Sequence, residues 1–162
     1  MKWLIAKSDE RETCRAIERL GGYAIRTSWH PFRSRVMSIN LRDTKASDEN
    51  LNAFTSLPSL NSLELGYTNI TDAGVQALAR HPNLNYLFLW GNRISDECLT
   101  TLGKMPLFLL NVEQTQVSLA GCMELSEQLP ECLIRQSREN IIFRGEINTD
   151  APYRKWLDQD AA

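Results

Sequence analysis

The chain has no apolar run long enough to span a bilayer, only two histidines, and no cysteine pair of the C-x-x-C kind. Each shortage removes a class of function. A membrane-spanning helix needs about 20 consecutive apolar residues, whereas the opening stretch Trp3-Leu4-Ile5-Ala6 is broken at once by Lys7. That stretch is also too short for the core of a signal peptide. Cys14, Cys98, Cys122 and Cys132 have no metal-ligand spacing among themselves or with His30 or His81. Free thiols in a reducing cytoplasm are the simplest expectation.

The scarcity of histidine bears on catalysis as well, because a Ser or Cys nucleophile needs a nearby base. His81 directly precedes a proline and His30 sits in the Trp29-His30-Pro31 break, and both read as structural or exposed. No P-loop, G-x-G-x-x-G or H-E-x-x-H motif occurs. Gly21-Gly22 lacks the Lys and Ser/Thr that phosphate binding would want. Cys122 fills a leucine slot of the repeat described below and reads as core. No active site, metal or cofactor is implied, and the chain reads as non-catalytic.

What is present is an ordinary folded composition: 43% hydrophobic and 23% charged residues over 162 positions, enough to bury a core in one domain. A net charge of -2 argues against whole-protein attraction to nucleic acid or anionic membrane. The balance is uneven, since residues 1–36 carry eight Lys/Arg against four Asp/Glu, whereas residues 37–140 carry seven against twelve. The basic head (Lys2, Lys7, Arg11, Arg15, Arg19, Arg26, Arg33, Arg35) leaves nucleic-acid contact as a lesser alternative.

The decisive positive feature is periodicity. Pro58, Pro82, Pro106 and Pro130 stand 24 residues apart, and the flanking residues keep the step. Ile39-x-Leu41, Leu63-x-Leu65 and Leu87-x-Leu89 recur at 24, with Leu110-x-Val112 following at 23. Ala46, Ile70, Ile94 and Val117 form a second apolar column, Leu51, Val75, Leu99 and Cys122 a third, and Phe54, Leu78, Leu102 and Leu125 a fourth. Alternating L-x-L predicts a short strand. Apolar residues three apart predict a helix pressing one face on the core. Ser47, Thr71, Ser95 and Ser118 precede these helices as N-caps, and Asp48, Asp72 and Asp96 place negative charge at the positive helix end. Each proline stops its helix. Thr44, Thr68, Asn92 and Thr115 fill the turn after each strand, where a side chain would bond buried backbone of a neighbouring coil.

These columns resemble the leucine-rich-repeat superfamily, and Thr71-Asp72-Ala73-Gly74-Val75 is similar to the T-D-x-G-L step of its bacterial and cysteine-containing members. The resemblance covers residues 36–135. It implies an α/β leucine-rich-repeat solenoid, with a parallel sheet on the concave face, helices on the convex face and a protein-binding role. The fourth repeat departs from the pattern, with Leu119 for Asp and Cys122 for Leu, as expected of a repeat turning into a cap.

The ends read as covers for the stack. Residues 1–35 are expected to form an N-terminal helix-strand cap: Asp9-x-x-Glu12 resembles a capping box, Gly21-Gly22 ends the helix, and Tyr23–Thr27 alternates like a strand. Residues 36–135 hold about four repeats, and Cys132-Leu133-Ile134 adds a last short strand. Residues 136–162 form a C-terminal cap or tail, with apolar clusters at Ile141-Ile142-Phe143 and around Tyr153, Trp156 and Leu157.

The concave face carries the functional expectation. Residues flanking the inward leucines point out of the sheet: Ser38, Asn40, Arg42; Ser62, Glu64, Gly66; Tyr86, Phe88, Trp90; and Leu109, Asn111, Glu113. Tyr86, Phe88 and Trp90 are predicted to stand side by side, extended by Leu109 and rimmed by Glu64 and Glu113. An exposed apolar cluster with a polar rim marks a binding site. An adaptor or scaffold contacting a protein partner there, through these residues with Arg42 and Asn111, is the leading expectation. The rivals are coverage of the patch by the tail, burial between two copies, and a structural subunit docked through its tail.

Overall fold

A computed structural model describes residues 2–26, 35–52, 54 and 57–148, with backbone alone at 2–9 and 148. Eight strands form one open sheet in chain order: β1 (Tyr23–Arg26), β2 (Val36–Asn40), β3 (Ser62–Glu64), β4 (Tyr86–Phe88), β5 (Leu109–Asn111), β6 (Leu133–Arg135), β7 (Ile141–Phe143) and β8 (Glu146–Asn148). Strands β2 to β6 are all parallel. β1 pairs antiparallel with β2 at one end, and β7 and β8 continue antiparallel at the other. The register repeats the sequence step, with Leu63 beside Leu87 and Leu87 beside Leu110.

The helices are short and lie between strands: α1 (Lys2–Arg19), α2 (Asp48–Leu51), α3 (Asp72–Leu78), α4 (Leu99–Leu102), entered through a 3₁₀ turn at Asp96–Cys98, and α5 (Leu119–Gln128). Ile39, Leu63, Leu87 and Leu110 from the strands meet Leu51, Val75, Leu78 and Cys122 from the helices in one continuous core. No coil closes over its own leucines, so each depends on its neighbours.

Hydrogen bonds between coils follow the repeat on the helix side. Asp48 accepts from the backbone N–H of Thr71 at 2.9 Å and from its hydroxyl at 2.6 Å. Asp72 treats Ser95 the same way, at 2.9 Å for both. Asp96 accepts from the Ser118 N–H at 2.8 Å. Each aspartate therefore opens its own helix and also holds the cap of the next. The first coil has no preceding aspartate, and there Asn50 accepts from the Ser47 N–H at 2.8 Å instead. Among the described residues no capped helix follows the fourth coil, and Leu119 in the aspartate slot packs on the core. The charge column thus begins and ends with the need for it.

The turn column behaves differently from its expected role. Thr44, Thr68 and Thr115 donate to carbonyls of their own coils (Leu41, Leu65 and Val112). Asn92 alone in the column bonds backbone of another coil, donating to Leu65 O at 2.6 Å and accepting from Ile70 N–H at 3.1 Å. A hydroxyl has one donor, whereas a carboxamide has two donors and an acceptor.

At the start, α1 begins at Lys2, so Asp9-x-x-Glu12 lies inside the helix and is not its cap. Nothing from Lys2 to Arg19 is Gly or Pro, so no residue there stops the helix from running further toward the N-terminus. Gly21 ends it in a left-handed conformation, with Gly22 N–H returning to Ile17 O. Two cations of the basic head, Arg26 and Arg35, converge on the buried Glu10 carboxylate at 3.5 and 3.8 Å. Tyr153 and Trp156 lie outside the described residues. Phe143 lies on β7, three strands from β4.

Candidate interaction face

The sheet face turned away from the helices is laid out in rows by the parallel register. Ser38, Ser62, Tyr86, Leu109 and Leu133 form one row, and Asn40, Glu64, Phe88, Asn111 and Arg135 the next. Arg42, Gly66, Trp90 and Glu113 follow just beyond the strands. The structure therefore brings Tyr86, Phe88 and Leu109 together on adjacent strands, as the alternation predicts. Tyr86 is 40% exposed, and Phe88 and Leu109 are half-buried.

Trp90 does not stand free beside them. Its ring lies across Gly66 of the preceding coil, its indole N–H donates to Glu64 at 2.9 Å, and the Arg42 guanidinium sits 4.5 Å from its ring centre. Glu64 also accepts from the Gly66 N–H at 2.8 Å, so this carboxylate is a fastening for Trp90 as well as a rim charge. Glu113 is likewise engaged, forming an ion pair with Arg135 at 2.9 Å. Asn111 beneath it is buried and accepts from the Glu113 N–H at 2.9 Å. Strands β5 and β6 thus present a bonded polar network where the alternation suggested an open rim.

Tyr67 is part of this surface and was not singled out by strand alternation, because it lies in the turn. It is 44% exposed, packs edge-to-face on Trp90 with centroids 4.6 Å apart, and its hydroxyl bonds the Gln114 side chain. A signal for it was available. Gly66-Tyr67 and Trp90-Gly91 stand 24 residues apart, so each aromatic faces a glycine, in opposite order.

Among the described residues, the buried thiols and His81 are all shifted toward their neutral forms. Burial pushes the Cys98, Cys122 and Cys132 thiols up to about 12, aided by the Asp72 carboxylate at Cys98 and the Asp96 carboxylate at Cys122. These thiols are protonated at neutral pH, and the thiolate is the nucleophile. Cys14 is also raised, chiefly by burial. Burial lowers His81, which occupies the apolar column of Leu57 and Met105. Among the described residues no group of three or more His, Cys, Asp or Glu could hold a metal ion, and no helix is long and apolar enough to cross a membrane.

In-register leucine strands joined by capped helices find their match in a known repeat. Residues 34–94 match the family model for the leucine rich repeat. Over that stretch the chain is similar to the leucine-rich-repeat superfamily. No curated protein matches the chain. Among solved structures, leiomodin-1 actin-binding site 2 is similar at 15% identity, covering 76% of this chain and 77% of that one, with a TM-score of 0.49. An internalin from Listeria monocytogenes is similar at 21% identity and a TM-score of 0.37, covering 53% of this chain. The chain spans about a third of that internalin, 32% of its length.

Proposed function

We propose that this chain is a non-catalytic protein-interaction module, an adaptor or scaffold whose coils stack as a solenoid and whose outward sheet face binds a protein partner. Residues 1–35 and 136–162 cap a repeat body of 36–135 in this reading. Repeat stacks of this kind commonly offer their sheet face to partners. The observation that carries the proposal is the adjacency of Tyr86, Phe88 and Leu109 on β4 and β5, on the face turned away from the core. Aromatic side chains grouped on a surface are the usual anchors of protein interfaces.

Within that face the residues divide by what they touch. Tyr86, Phe88 and Leu109 supply apolar contact. Trp90 and Arg42 extend it as a stacked pair. Glu64, Asn111 and Glu113 set the shape of the surface through their internal bonds and offer their remaining acceptor capacity at its margin.

The test is affinity capture with mass spectrometry, comparing wild type with Tyr86→Ala/Phe88→Ala, both checked for fold by circular dichroism. Loss of the captured protein from the variant is the expected result, with at least a tenfold fall in affinity, about 1.4 kcal/mol. Equal capture by both chains would remove the outward face from the proposal.

A further inference from the structure

The geometry points to Gly66 and Gly91 as positioning residues of the outward face, each a socket for an aromatic ring of another coil. The rings of Trp90 and Tyr67 are thereby locked into one preformed edge-to-face pair. This rests on the reading that a partner docks on that face, and it adds which residues prepare the face and how.

Neither glycine is demanded by the backbone. Gly91 is left-handed at φ +70, but Asp43, Tyr67 and Gln114 hold the equivalent place in their coils at φ 57, 50 and 54. Three side chains tolerate that conformation, so its steric cost does not explain the glycine. Gly66 has no such φ at all, and Arg42, Trp90 and Glu113 fill its column.

The rings explain both. A Cβ on Gly66 would stand 2.3 Å from the Trp90 indole, and a Cβ on Gly91 would stand 2.3 Å from the Tyr67 ring. Trp90 leans one way across Gly66 to Glu64 and Arg42, while Tyr67 leans the other way across Gly91 to Gln114. The two rings pass each other edge-to-face at 4.6 Å, with planes 65° apart. Four successive coils are tied by this exchange, and the rings are ordered before any partner arrives. A surface ordered in advance loses less side-chain freedom on binding.

The experiment uses the full chain with Gly66→Ala, Trp90→Leu and the double variant, and in parallel Gly91→Ala, Tyr67→Ala and their double. Urea midpoints and the Trp90 indole N–H resonance, assigned by its absence in Trp90→Leu, are the readouts. Gly66→Ala is expected to lower the midpoint in the Trp90 chain and to leave it unchanged in the Trp90→Leu chain. It is also expected to move the indole resonance toward the position of a solvent-exposed tryptophan. Gly91→Ala should couple to Tyr67 in the same way, with its midpoint loss reduced in the Tyr67→Ala chain. A midpoint loss of equal size in both backgrounds, or an unmoved indole resonance, overturns the proposal. If a single glycine variant fails to fold, its double must fold, and a double that fails as well assigns the glycine to the backbone and overturns the proposal too. None of these readouts involves a partner, so failure of the capture experiment leaves them standing and their failure leaves the capture result standing.

Discussion

Between its coils, the helix side of the molecule repeats one side-chain contact, and the outward sheet face does not. On the helix side the same contact recurs coil after coil, from Asp48 to Thr71, Asp72 to Ser95 and Asp96 to Ser118. On the sheet face one bond within a coil recurs, from the N–H two residues on to Asn40, Glu64 and Asn111, but the side-chain contacts between coils differ from one to the next: Trp90 to Glu64, Tyr67 to Gln114, Arg135 to Glu113. Stacking imposes identical demands on every coil, so what serves the stack must recur. Residues that break the recurrence are free of that demand, and they lie along one face from Arg42 of the first coil to Arg135 on β6.

The sharpest way to break the comparison is on one strand. Leu87 points inward and Phe88 outward, so Leu87→Ala should cost about 3 kcal/mol through the cavity it leaves. Phe88→Ala should cost about 1 kcal/mol or less, as surface positions do. Urea denaturation of the two variants measures the contrast, and equal losses would place Phe88 in the core.

Next in size is the carboxylate column. Asp72→Ala leaves the Ser95 N–H and hydroxyl without their acceptor, at a cost of about 2 kcal/mol. The equivalent removal of the last aspartate in the column, Asp96→Ala, should cost less, because Ser118 donates one bond to it where Ser95 donates two to Asp72. Urea midpoints for the pair test whether the column carries the stack, and an unaltered midpoint for Asp72→Ala would remove it from that role.

A smaller effect belongs to His81. Burial holds its imidazole neutral, below the ordinary value of 6.5, and its Nε2 has no hydrogen-bond partner among the described residues. The unfolded chain takes up a proton below about pH 6.5 while the folded chain resists it. Stability therefore falls as pH drops through 6.5 toward the folded value. His81→Leu should abolish that dependence and raise stability by about 1 kcal/mol near neutral pH, since its column neighbours Leu57 and Met105 are apolar. Thermal melts from pH 8 to 5 would show the slope in wild type only.

The smallest expected change is the stability of Tyr86→Ala, within about 0.5 kcal/mol of wild type. If that variant loses its captured partner at an unchanged melting temperature, recurrence and function are separable on this molecule.

The amino-acid sequence by itself determined the period, strands β1 to β6, the caps at Thr71, Ser95 and Ser118, the inward leucines and the outward placement of Tyr86, Phe88 and Leu109, but not the β7–β8 hairpin that follows the repeats. Those depend on alternation within a strand and on spacing along the chain, and both are local. Register followed too, because equal coils can stack in step. The tertiary structure alone decided that Trp90 lies flat, that Glu64 and Glu113 are engaged, that Asn111 is buried and that Tyr67 shares the face. These outcomes depend on which side chain a neighbouring coil lacks. Glycine at 66 and at 91 makes room that no single coil reveals, and a ring fills such room only when the coils are packed together. The extent of α1 escaped for a related reason, since Asp9-x-x-Glu12 suits a cap but nothing upstream prevents the helix from continuing. Repetition is written along the chain, whereas the departures from it acquire meaning only across it.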